Sequence, residues 1–176
     1  MSDENDVLDF VRHPPHLASA AGRLPKENSP DSDTGEESCP AFGFLRGTHE
    51  RALAVEFRYR DGNSDWFPYA WLGPWWHNPS VGLLLKFTGD LVTLVLIRGS
   101  NLDALVKQSG VNLTDRGFQR HRITFVREMG EDELKAAGEA GPTIDRIEVA
   151  DFESHDEELA WLKKHAPVFV RKTAGD

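Results

Sequence analysis

The residues best suited to chemistry stand in one short run, Arg116-Gly117-Phe118-Gln119-Arg120-His121-Arg122, extended by Arg127. No acid interrupts the four arginines between Arg116 and Arg127. A guanidinium binds phosphate through parallel hydrogen bonds, and an aromatic ring can stack a base. The pattern points to phosphate, nucleotide or RNA binding through Arg116, Phe118, Arg120 and Arg122. The plainer reading is a basic loop leading into a strand. Charge opposes a polyanion partner: 29 Asp and Glu stand against 20 Lys and Arg, a net charge of −9 with a pI near 5.2. An acidic chain does not steer toward nucleic acid or anionic lipid as a whole.

Other reactive groups are scattered. His121 or His155 with nearby acids could serve a hydrolase, but no nucleophile with a placed base accompanies them. Asp151, Glu153, His155, Asp156, Glu157 and Glu158 contain enough oxygen and nitrogen donors for a metal. Acids at a helix N-terminus explain them without one, because the helix dipole favours negative charge there. No His-rich or Cys-rich ligand spacing and no Gly-rich phosphate loop is present, so no cofactor is expected. Cys39 is the only cysteine. It rules out an intramolecular disulfide and fits a reducing compartment. The balance leans away from an enzyme.

The second chemical feature is aromatic. Trp66, Trp71, Trp75 and Trp76 lie in one run with Phe67 and Tyr69. Large rings are enriched both in cores and at interaction hot spots. The run is therefore either core or a contact surface made by Tyr69, Trp71, Trp75 and Trp76. Strand side chains alternate between two faces, so some rings should face outward. Trp75 or Trp76, rather than Trp66, is the expected outward ring.

These residues need elements to position them. Residues 1–48 carry nine acids against four Lys or Arg. They include Lys26 to Ser38, which has no apolar side chain, and read as an acidic, mostly disordered arm. A short helical pattern at Val7, Leu8, Phe10 and Val11 precedes that stretch. Residues 49–172 read as a single domain. Leu53, Val55, Phe57 and Tyr59 alternate with Glu56, Arg58 and Arg60 as a half-buried strand. Asp61 to Asp65 is a turn. Pro68 and Pro74 confine the aromatic run to an edge, a bend or two short strands. Leu83–Phe87 and Leu91–Arg98 follow as strands, the latter apolar on both faces and so central. Arg122–Arg127 and Ile144–Phe152 are further strands, and 168–170 a last short one. Helices are expected at 101–109, capped by Ser100 or Asn101, and at 154–165, where Ser154 and Glu157 form a capping box. Glu131 to Ala140 is a weaker helical pattern.

The expected fold is α+β: a twisted antiparallel meander of about four to six strands with two packed helices. No stretch is long and apolar enough to span a membrane, and the N-terminus has no signal-peptide core, so the chain reads as cytoplasmic. The pattern Val55-Glu56-Phe57-Arg58, then Pro68-Tyr69-Ala70-Trp71-Leu72, Gly82 to Phe87 and Arg98 to Leu102 resembles small bacterial β-rich proteins of uncharacterised function, over residues 52–127. That resemblance implies no activity. The expected function is a non-catalytic interaction module, an adaptor or small subunit with a protein partner. RNA or nucleotide binding, or a hydrolase, are the alternatives.

Overall fold

A computed structural model describes residues 35–137 and 141–171. The helical pattern at Val7 to Val11 and most of the acidic arm lie outside them. The described chain is α+β, with two sheets and two helices. The first sheet holds β1 (Glu36–Ser38), β2 (Phe42–Leu45), β8 (Ile123–Arg127), β3 (Ala54–Arg58) and β4 (Ser64–Pro68), in that order. The second holds β5 (Leu72–Asn78), β6 (Gly82–Thr88), β7 (Val92–Ser100) and β9 (Thr143–Phe152). Helices α1 (Glu131–Ala137) and α2 (His155–His165) complete the fold.

The expected antiparallel meander is split: its later strands form the second sheet with β9 added, whereas the strand expected first, 52–60, and the start of the aromatic run lie in the first sheet as β3 and β4. The first was not anticipated as a separate sheet. It takes β8 from late in the chain and pairs it parallel to β3. It also uses β1 and β2, inside the segment read as a disordered arm. Those strands are ordered by Phe42 and Phe44, which are fully buried, and by pairing of β2 with β8. The domain therefore begins before residue 49.

Two cores flank the second sheet. Between the sheets pack Phe42, Phe44, Val55, Phe57, Leu83, Leu85, Phe87, Val95, Ile97 and Val126. On the opposite face, Leu84, Leu94, Leu96, Phe152 and Ala166 pack with Trp161 and Leu162 of α2. Consecutive residues of β7 thus enter different cores, as its apolar pattern required. Glu157 N–H donates to Ser154 Oγ, capping α2. The return bond of that box goes from Glu153 N–H to Glu157 Oε2, one residue earlier than the motif predicts.

No helix forms at 101–109. Asn101 and Gln108 have positive φ (56° and 70°), and Val106 N–H bonds forward to Val111 O instead of back along a helix. The second helix of the fold is α1 instead. Residues 167–169 form one 3-10 turn in place of the short strand expected at 168–170. Among the described residues, no helix is long and apolar enough to cross a membrane.

Candidate functional site

The aromatic run divides into two edge strands belonging to different sheets. Ser64–Pro68 closes the first sheet as β4, Tyr69–Trp71 makes a 3-10 turn, and Leu72–Asn78 opens the second as β5. Pro68 and Pro74 fall on edge strands, where a missing donor is tolerated. Phe67 turns inward and stacks on Phe87 at 4.8 Å. Tyr69 is buried; its hydroxyl donates to Ile123 O at 2.9 Å and its ring stacks on His121 at 4.6 Å. Burial pushes the Tyr69 phenol well above its ordinary pKa.

Trp75 and Trp76 are both partly buried, so neither is the strongly outward ring that was expected. Trp75 packs against the core between the sheets, and Trp76 against the core under α2. Alternation sends adjacent residues to opposite faces, and here both faces are filled. The Arg171 guanidinium also lies over the Trp76 ring at 5.6 Å. The outward rings are Trp66, 63% exposed, and Trp71, 45% exposed. Trp66 stands on the outer face of the first sheet, opposite Glu56. Trp71 lies across Gly89 in the β6–β7 turn, where even a Cβ would come within 2.9 Å of the ring. Of the four residues expected to form a contact surface, Trp71 alone is strongly exposed. Trp66 was missed because its outward position depends on which face of the first sheet is left bare.

Tyr59 N–H donates to Asn63 O, and Tyr69 N–H donates to Leu53 O. The bonded pairs of the β3–β4 ladder therefore use the odd-numbered residues of β4. The main-chain groups of Ser64 and Trp66 point away from β3, along an edge with no neighbouring strand among the described residues.

The basic run is partly dismantled. Phe118 is fully buried and stacks on Phe57 at 6.5 Å, so no base can reach it. Arg122 is buried and structural: Nε donates to Leu45 O at 2.9 Å and Nη2 to Arg46 O at 2.6 Å. Arg116 is exposed, with Nη1 donating to Gly110 O. Arg120 is exposed as well. The nucleotide-stacking arrangement expected from the sequence is absent, and only its charge remains.

Among the described residues, no nucleophile with a placed base stands beside it. His121 stacks on Tyr69; burial first, and the nearby Arg51 charge second, lower its pKa. His155 is exposed, 3.4 Å from a Glu158 carboxylate already held by Lys86 Nζ at 2.7 and 2.9 Å. A better imidazole–carboxylate pair is His165 Nδ1 with Glu148 Oε2, at 2.8 Å. It ties α2 to β9, and Trp161 stacks on the ring at 4.6 Å. No local spacing signals it, because the partners are brought together only by packing of α2. The Cys39 thiol donates to Phe42 O, and burial raises its pKa, which disfavours the thiolate. Among the described residues no three His, Cys, Asp or Glu side chains are placed to hold a metal ion. Asp151 accepts the Thr93 hydroxyl, and Glu157 and Glu158 serve α2 and Lys86.

A cleft of about 560 Å³ lies beside Arg58, Tyr59, Arg60, Arg127, Glu128 and Glu133. Its charges are already bonded, some to one another and some to main-chain groups. Arg58 pairs with Glu56, Arg127 with Glu133, and Glu128 accepts from Arg60 N–H and Ile147 N–H.

No protein-family model matches this sequence, no curated protein is significantly similar to it, and no solved structure matches its fold.

Proposed function

We propose that this chain is a non-catalytic protein-interaction module, an adaptor or small subunit that binds a protein partner through exposed aromatic side chains. The observation that carries it is that two tryptophans stay exposed on ordered elements, Trp66 on β4 and Trp71 in the turn after it. Burying the remaining apolar surface of both would contribute on the order of 5 kcal/mol before the costs of association. The outward main-chain groups of Ser64 and Trp66 suit addition of a partner strand to β4, with Trp66 as a side-chain anchor.

Comparative capture from the native cell tests the reading. The bait is wild-type protein or a Trp66→Ala/Trp71→Ala double variant whose fold is verified by circular dichroism. The reading expects a protein retained by the wild type and lost by the folded double variant. Equal retention, or no retained protein, overturns it.

A further inference from the structure

One end of the domain gathers arginines that have no ion-pair partner among the described residues, with Glu50 and Asp90 in the same segments. Ala54 pairs with Pro68, Leu72 with Phe87 and Thr88 with Val92. The segments before β3, between β4 and β5, and between β6 and β7 therefore gather at that end. The segment before β8 joins them, because Ala52 N–H donates to His121 O and Tyr69 stacks on His121. Arg51 Nη1 donates to Arg120 O at 2.7 Å, which fixes its guanidinium beside the Arg120–Arg122 turn.

Arg46, Arg58, Arg98, Arg127 and Arg146 each lie within ion-pair distance of a glutamate. Arg51, Arg120 and Arg122 have no carboxylate at that distance among the described residues, and neither do Arg60, Arg116 and Arg171, which lie outside this cluster. Arg122 is buried with two carbonyls as its partners, so its charge is solvated by neutral dipoles. Arg51 and Arg120 beside it are exposed, and a guanidinium without a carboxylate partner can take an incoming one. Leu53 (90% exposed), Trp71 and Leu91 are exposed at the same end.

We infer that this end of the domain recognises an acidic segment of the protein partner, with carboxylates on Arg51 and Arg120 and adjoining apolar side chains on Leu53 and Trp71. This rests on the interaction-module reading and names the partner's chemistry. Charge complementarity selects the carboxylates, and the apolar side chains beside them select a polypeptide over a phosphate backbone. Phe118 is sealed in the core and offers no platform for a base. The net charge of −9 also repels a long polyanion, whereas a short acidic segment meets chiefly the local field.

The test is selection of a displayed library of random dodecapeptides on the full chain. Selected peptides are then bound to wild type, to Arg51→Gln/Arg120→Gln and to Trp71→Ala. Both arginines are exposed, so the charge variant should keep its fold, checked by thermal melt. The expected result is enrichment of Asp or Glu next to apolar residues. Affinity should fall with salt, and drop about tenfold or more in the double arginine variant. Peptides without acidic enrichment, peptides bound equally by the arginine variant, or no selected peptide at all overturn the inference. Arms with single-stranded oligouridylate and with phosphatidylserine vesicles address phosphate: tighter binding of either, lost in the arginine variant, overturns it too. Non-acidic peptides that depend on Trp71 would sink this inference and leave the interaction-module reading standing. Loss of peptide binding without Trp71 dependence, together with equal capture by the Trp66/Trp71 variant, would sink that reading itself.

Discussion

Trp75 and Trp76 are neighbours on β5 and both are partly buried against a core, whereas Trp66 on β4 and Trp71 just beyond it are exposed. The same stretch of chain supplies all four. What differs is the sheet each one joins. The second sheet is packed on one face against the first sheet and on the other against α2. The first sheet has no helix over its outer face among the described residues; charged pairs such as Arg58–Glu56, and Phe125 beneath Arg58, line it instead. Alternation along a strand sets which face a side chain takes. Tertiary cover then decides whether that face is core or surface.

Backbone substitution in the second sheet should produce the largest effect. Gly82 sits at φ +128° where β6 begins, and a Cβ there would lie 2.1 Å from Ile97 O of β7. Gly82→Ala meets both an unfavourable φ and a main-chain clash, and should cost about 3 kcal/mol or more. Gly62 has φ +89° in the β3–β4 turn of the first sheet but faces open space. Gly62→Ala carries the φ cost alone, about 1 kcal/mol. Urea unfolding of the two variants measures the difference. Equal losses would break the distinction between a sheet packed on both faces and one packed on one.

The tryptophans sharpen the same comparison. Trp75→Ala and Trp76→Ala should each cost about 2–4 kcal/mol, since each removes a partly buried ring from a filled core. Trp66→Ala should stay within about 0.5 kcal/mol, as expected for an exposed surface position. Trp71→Ala should fall between, because its ring covers Gly89. Urea midpoints check the order. A Trp66 variant as unstable as the Trp76 variant would show that the outer face of the first sheet is structural.

The strand periods at 54–58, 83–87, 92–98 and 144–152 and the capped helix α2 were legible in the sequence, because alternation and caps are local signals. So was the central place of β7, whose residues are apolar on both faces. The two-sheet division was not, because β3–β8 pairing joins segments far apart in sequence. Residues 36–45 were misread for a related reason: a few buried side chains and one distant partner strand order them despite polar surroundings. The 101–109 pattern has helical spacing and a capping residue, yet Leu102, Val111, Leu113 and Phe118 bury themselves by folding the segment back on itself. At the candidate site, arginine spacing could not reveal that Phe118 points inward, that Arg122 spends its donors on the Leu45 and Arg46 carbonyls, or that Arg127 pairs with Glu133.

Ion pairs extend the comparison at a smaller scale. Lys86 reaches Glu158 across the α2 face of the second sheet, where the carboxylate is buried. Lys86→Met leaves that carboxylate uncompensated and should cost about 2–3 kcal/mol. Arg58→Ala, at the more exposed pair on the first sheet, should cost about 1 kcal/mol or less.

The smallest expected effect is one of pH, at Glu148 between β9 and α2. Burial alone would raise its pKa. Hydrogen bonds from Arg98 and His165, helped by the charges of Arg98 and Arg146, outweigh burial and hold it below the ordinary value of 4.5. A carboxyl with a depressed folded-state pKa contributes stability above its unfolded pKa and loses it as pH falls through the folded value. This contribution is therefore intact at neutral pH and fades below about pH 4.5. Glu148→Gln should lower stability at neutral pH and flatten its decline between neutral and strongly acidic solution. Urea midpoints across that range measure both. If Glu148→Gln follows the wild-type pH profile, the carboxylate does not hold α2 against the second sheet, and apolar packing alone keeps that face covered.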